Sequence, residues 1–442
     1  MTHLLQELKR QEEKLFNCVH CGFCLPACPT YTRLGDEADS PRGRLHFMRA
    51  VVEGRLDAGS PAFTRHLDRC LGCRACESVC PSGVEYGHLL EGAREVVARS
   101  GNRSFLSRLL PSVMGRSSLL KPAMVLARIL RATGFPEVAA QRLPGEGRLG
   151  QARLGMGMIA ATSPPRLLAD LGPRGGRAGW MQTREATVPG ETLGRGARTA
   201  ELLGCVQEGL LARVNHATAR VLEANGFRVV EVRGQGCCGA VHAHTGDLEG
   251  ARALARRNIR AFEAADVAVV AVNAAGCGAT MKEYGHLLQD DPHYRERAGA
   301  LAGKIRDISE LLGTSGVRTG GRLPLRVTYD APCHLVHAQR ISKEPLALLR
   351  SIPGLDLLPL QGHEECCGGA GVYGLTHPEL GGRIGDDKVK SIVATGAQAV
   401  ASGNPGCMMQ IGAGLRMAGA AVDVVHPVEL LDESYRRGGL YP

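Results

Sequence analysis

Aromatic residues are scarce in this chain, 4% of 442 residues, with a single tryptophan. Its cores must therefore be aliphatic, and the shortage, with no recognised reader module, argues against nucleic-acid binding. No apolar run approaches the roughly 18 to 20 residues that a membrane span needs. The longest, "VAVVAV" at 267–272, suits a buried strand. The opening "MTHLLQELKRQEEKLFN" is charged and polar and has no apolar core of the secretory kind, so no signal peptide is expected. Without secretion thiols stay reduced, and clustered cysteines bind metal more readily than they pair. Nothing resembles a Ser/His/Asp triad, a paired-carboxylate site or a phosphate-cradling P-loop.

What the chain has is cysteine, 16 in all, and length enough for two or three domains. Charge is unevenly placed. Between Arg99 and Arg198 there are 16 Arg/Lys against 5 Asp/Glu, while the whole chain carries only +9, so the remainder is slightly acidic. Such a segment suits an anionic membrane surface, a nucleic acid or an acidic partner, or is simply a solvated linker.

Two runs near the start, "CVHCGFCLPACP" from Cys18 and "CLGCRACESVCP" from Cys70, share the spacing C-x2-C-x2-C-x3-C-P. That spacing holds [4Fe–4S] cubes: three close thiolates wrap one face, and the fourth cysteine crosses to the other cluster. It predicts Cys18, Cys21, Cys24 and Cys80 on one cluster and Cys70, Cys73, Cys76 and Cys28 on the second. Pro29 and Pro81 stop any helix and turn the fourth thiolate away. Zinc favours separated C-x2-C knuckles instead. Between the runs, Ser40 and Pro41 read as the cap and first position of a helix, and "PAFTRHLDRC" as another.

From about residue 198 the sequence repeats. Cys205 to Cys237 spans 32 residues and Cys333 to Cys366 spans 33; Cys238 to Cys277 spans 39 and Cys367 to Cys407 spans 40. Strands and helices alternate within each half, as in a parallel sheet with crossover helices. Each cysteine follows a strand, so Cys205, Cys237, Cys238 and Cys277 converge on one carboxyl rim, and Cys333, Cys366, Cys367 and Cys407 on another. These rims suit further iron–sulfur centres, a zinc, or no metal. His216, His242, His244, His334, His337 and His363 lie near them in sequence as ligand or proton-donor candidates.

Two dinucleotide-like patterns fail on context. Gly369, Gly371 and Gly374 match G-x-G-x-x-G, but the equivalent loop "CCGAVHAHTG" of the first half keeps only Cys-Cys-Gly, and no acidic residue ends a second strand about 20 residues on. "GMGMIA" at 155–160 has no preceding strand and stands in a stretch that reads as linker. No FAD or NAD site is therefore expected.

The fold class expected is α+β multidomain: a helix-expanded, two-cluster ferredoxin-type domain (1–97), a basic helical region and linker (98–197), and a duplicated α/β parallel-sheet cysteine-rich domain (198–315 and 316–442). With "CPTY", "LGDE", "PRGR", "NHATARVL", "GCCGAVH", "GCGATMKEYG", "CCGGAG", "LTHPEL" and "NPGC", the chain resembles the iron–sulfur subunits of bacterial glycolate oxidase (glycolate dehydrogenase). The resemblance implies an electron-carrying subunit without flavin of its own. It would take electrons from FAD-linked partners that oxidise glycolate to glyoxylate and pass them toward quinone. Its place would be cytoplasmic, peripheral on the inner membrane face. Similar Cys-Cys-Gly domains occur in lactate-utilisation proteins, in a glycerol-3-phosphate dehydrogenase subunit and in heterodisulfide reductases. These leave a different oxidase partner, or direct disulfide reduction, as alternatives. The heterodisulfide pattern has a fifth cysteine per unit, where this chain has Thr280 and Gln410.

Overall fold

The computed structural model describes residues 5–101, 104–171 and 196–441. The end of the expected linker, residues 172–195, lies outside the described residues.

The first domain is helical around its cysteine loops. Helix α1 (Pro41–Val52) starts as its sequence dictates, Ser40 Oγ accepting from the Gly43 amide at 3.0 Å with Pro41 in the first turn. Helix α2 (Pro61–Asp68) follows. In α3 (Tyr86–Arg99), Leu89, Leu90, Ala93, Val96 and Val97 form a helical stripe packed with Leu8, Met48, Phe63 and Leu67.

Four α-helices, α4 (Phe105–Gly115), α5 (Ser117–Ala132), α6 (Phe135–Arg142) and α7 (Gly147–Ala161), and a short 3-10 helix at Arg166–Leu171 make up the described basic region. The "GMGMIA" stretch, expected as linker, is the end of α7. Its small residues permit close helix packing rather than a turn: a Cβ on Gly157 would lie 2.9 Å from the Ala413 Cβ.

The first cysteine-rich unit runs β1 (Arg198–Glu201), α8 (Ala212–Ala224), β2 (Arg228–Val230), α9 (Leu248–Ala264), β3 (Val269–Val272), α10 (Ala275–Lys282), β4 (Ile305–Asp307) and α11 (Ile308–Ser315). The second runs β5 (Arg326–Asp330), α12 (Lys343–Arg350), β6 (Asp356–Leu358), α13 (Pro378–Ala394), β7 (Ala399–Ser402), α14 (Pro405–Met417), β8 (Asp423–Val425) and α15 (Pro427–Arg437). Each forms an all-parallel four-stranded sheet, ordered β2-β1-β3-β4 and β6-β5-β7-β8. The fold class read from the sequence is thus the one observed. Strands β3 and β7 are wholly buried, as central parallel strands are.

The two units share one core. Helix α8 packs on α15, and α11 on α12, so the first helix of each unit meets the last helix of the other. Arg220 on α8 makes a buried two-pronged pair with Asp432 on α15, at 2.9 and 2.6 Å. The His426 ring contacts the Asn273 carbonyl at 3.0 Å across the same seam.

Candidate metal centres

Both N-terminal runs fold their backbone alike. The third and fifth positions are left-handed in each, His20 (φ 54°) and Gly22 (φ 89°) in the first, Gly72 (φ 68°) and Arg74 (φ 63°) in the second. Alternation of this kind turns successive amides inward and makes a concavity for anions such as thiolates. The Gly72 amide, for instance, donates to Cys70 Sγ at 3.4 Å.

The runs line two neighbouring recesses. Cys18, Cys21 and Cys24 line the first together with Cys76 and Cys80. Cys28 lines the second with Cys70, Cys73 and Cys76. The fourth cysteine of each run therefore faces the other run's recess. Arg44, fully buried, reaches over the second recess from α1 and is held by Asp39 at 3.3 Å, which also meets Arg69 at 2.8 Å and His66 at 3.0 Å. Burial alone would raise the Cys70 thiol, but the Arg44 and Arg94 guanidiniums outweigh it and hold its pKa below the ordinary thiol value. Burial pushes Cys73 and Cys76 well above it.

Among the described residues no three cysteine sulfurs lie within 4.8 Å of one another. Tetrahedral zinc with Zn–S bonds of about 2.3 Å would hold its sulfurs about 3.8 Å apart. Both N-terminal recesses present all-thiol donor sets, which suit iron–sulfur cubes.

Each C-terminal unit gathers its four cysteines at the carboxyl rim of its sheet, where the strand order reverses around β1 or β5. Thiol contacts link Cys205, Cys237, Cys238 and Cys277 in a chain. The second unit links Cys333, Cys366, Cys367 and Cys407 in the same way, with Cys367 and Cys407 at 3.3 Å. The glycine after each cysteine pair serves two ends at once. Gly239 (φ 93°) and Gly368 (φ 80°) are left-handed, and a Cβ on them would lie 3.3 Å from the Ala251 Cα and 2.4 Å from the Gly381 carbonyl. Thr280, where the heterodisulfide pattern has cysteine, donates its hydroxyl to the Gly276 carbonyl at 3.0 Å.

The units differ in charge. Lys388 on α13 is buried in the second, 2.9 Å from Asp330 at the end of β5. Burial pulls its pKa down, but Asp330 and the neighbouring Cys367 and Cys366 outweigh that and keep it cationic. The corresponding side chain on α9 is neutral Asn258, which donates to the Cys237 carbonyl at 3.0 Å and the Tyr284 hydroxyl at 3.1 Å.

All three domains meet beside the second recess. Leu71, Cys73, Cys333, Cys366 and Tyr373 pack together, and the Tyr373 hydroxyl donates to the Arg69 carbonyl at 2.7 Å. His337 contacts Ser78 at 2.8 Å, and His334, beside Cys333 at 3.5 Å, lies 5.2 Å from the His244 ring. His242 is buried and helps lower the Cys237 pKa, after Cys205 and Cys238. His216, on α8, and His363 are both half-buried. Sequence reasoning missed Glu283, His88 and Arg74, which interlock here. Burial raises Glu283, but His88 and Arg74 outweigh it and bring its pKa to about 2. The "KEYG" stretch holding Glu283 gave no local signal, because its partners lie some 200 residues away, as in the Arg74 bond to Glu283.

A family model described as a 4Fe-4S dicluster domain matches residues 14–84, and one described as a cysteine-rich domain matches 200–282 and 327–412. The chain is 35% identical to the probable glycolate oxidase iron–sulfur subunit of Bacillus subtilis, covering 98% of this chain and 97% of that one. It is 32% identical to the glycolate oxidase iron–sulfur subunit of Escherichia coli, covering 99% of each. It is also 32% identical to lactate utilization protein A of an Exiguobacterium species, over 53% of this chain and 96% of that protein.

Proposed function

From the premise that this chain belongs to the family of glycolate oxidase iron–sulfur subunits, we propose that it carries electrons out of an FAD-linked partner that oxidises glycolate to glyoxylate. Two electrons and two protons leave each glycolate, and a quinone at the inner membrane face takes up both. Cys18, Cys21, Cys24 and Cys80 would hold one [4Fe–4S] cluster, and Cys70, Cys73, Cys76 and Cys28 the other. When bound, such clusters supply one-electron transfer. The single observation that carries this reading is the exchange of fourth cysteines, Cys80 lining the first recess and Cys28 the second.

The remaining work falls to the chain itself. Cys21 is exposed between Val19 and Phe23, which are 67% and 63% exposed, so the first recess opens on a surface that a donor subunit can cover. Arg44 and Arg94 place positive charge beside the second recess, favouring thiolate ligands there. Cys73, packed with Cys333 and Cys366, joins that recess to the rim of the second unit. The first recess thus opens to the surface, the second adjoins the rim of the second unit, and a further iron–sulfur centre would fit the thiols of either rim.

The lactate-utilisation likeness favours one alternative, a partner acting on lactate, since substrate choice lies with the flavin subunit. Co-expression with the FAD-linked partner tests the proposal. Glycolate-dependent reduction of a quinone analogue should be present in wild type and lost in Cys24→Ser or Cys76→Ser, with the flavin still reduced by glycolate. A variant complex that reduces quinone at the wild-type rate would refute it.

A further inference from the structure

Nine of the fourteen large apolar side chains exposed among the described residues fall between Phe105 and Leu149. They concentrate on the α4–α5 hairpin, whose orientation is fixed from behind. Leu120 packs over Cys205 and Cys237. Met124 sits so close to Gly209 that a Cβ there would lie 2.5 Å from it. Arg131 donates to the Thr162 and Leu210 carbonyls at 2.9 and 3.1 Å. With that face docked, α5 turns Leu119, Val125, Leu126 and Ile129 outward, Leu126 being 66% exposed and Ile129 59%. Phe105 and Phe135 flank the stripe at 73% and 56%. Around it stand exposed Arg108, Arg116, Lys121 and Arg128, and no Asp or Glu occurs from residue 105 to 136.

We propose that the α4–α5 hairpin is an interfacial anchor that lies on an anionic lipid surface. An outward apolar stripe on a hairpin whose own charges are all cationic is the chemistry such surfaces select. A protein interface would be expected to centre on aromatic residues and methionine, whereas this stripe is aliphatic at its centre. The hairpin lies on the bilayer rather than crossing it: α5 has 16 residues, about 24 Å of helix, and no described helix is long and apolar enough to span. The docked surface is the one backed by Cys205 and Cys237, so the first unit's rim comes to rest against the membrane. This deepens the membrane-facing part of the electron-carrier reading and rests on it.

Flotation of the purified full complex with vesicles tests the anchor. The complex should float with phosphatidylglycerol/phosphatidylcholine vesicles, less well as salt rises, and poorly with phosphatidylcholine alone. Leu126→Ser/Ile129→Ser should cut partitioning by about tenfold or more, while iron content and glycolate-dependent reduction of a water-soluble dye stay at wild-type levels. Wild type that fails to float, or a double variant that floats as well as wild type, overturns the anchor even if dye reduction is intact. If the wild type fails to float and the double variant loses the flavin subunit on purification, the face belongs to that protein instead. Flotation without dye reduction would count against the carrier reading and leave the anchor standing.

Discussion

His426 shows how much a single side chain carries at the seam between the two units. It caps α15 by accepting from the Val428 amide at 3.1 Å and reaches the Asn273 carbonyl from its other nitrogen. Burial, reinforced by Arg213, brings its pKa from 6.5 to about 3 despite that carbonyl. The unfolded chain therefore takes a proton that the folded chain refuses. Stability contributed by the neutral ring is full above the unfolded value of 6.5 and is lost as pH falls from there toward 3. The loss between pH 7 and pH 5 is about 2 kcal/mol from this residue. Thermal melts of wild type and His426→Asn, which keeps a capping side chain, should differ by that pH-dependent amount; parallel curves would contradict it. The cysteines were legible because metal geometry fixes their spacing within a few residues. His426 and Glu283 were not, because their partners come from another domain or unit and leave no local pattern.

At the scale of elements, the repeat was readable wherever alternation was strong, and incomplete where strands were short. Strands β4 and β8 have three residues each and went unrecognised beside their helices. Edge strands β2 and β6 also keep only three residues, with partners on one side alone. The duplication extends to a detail the spacing did not reveal: α11 and α15 both begin with a capping box, Asp307 with Glu310 and His426 with Glu429. Helix α7 is the larger miss. Its glycines read as breakers, but tertiary packing uses them as flat surface. Two neighbouring substitutions should therefore have opposite signs. Gly155→Ala meets only the Leu375 side chain at 3.9 Å and should stabilise by up to about 1 kcal/mol through helix propensity. Gly157→Ala drives a methyl into Ala413 and should destabilise by about 1–3 kcal/mol. Denaturant midpoints would decide, and equal effects would argue against the close α7–α14 crossing.

Across the whole molecule, three domains are arranged so that sixteen thiols fall into two recesses and two rims, and the domain junction sits on the step between them. Two of these sites differ in their surroundings. One is an open mouth with exposed Val19 and Phe23; the other lies behind an apolar, cationic hairpin. A carrier between a donor subunit and a membrane acceptor, as proposed above, needs two unlike docking faces, which is the sense in which the architecture matches the proposed role. The claim underneath is that the eight N-terminal cysteines hold two iron–sulfur cubes. Iron and acid-labile sulfide per chain, measured with electron paramagnetic resonance on oxygen-free material, test it most directly. The account predicts at least about eight of each per chain, with reduced-cluster signals that fall by about half in Cys80→Ser or Cys28→Ser. Folded, active, iron-poor protein, or protein carrying stoichiometric zinc instead, would contradict it.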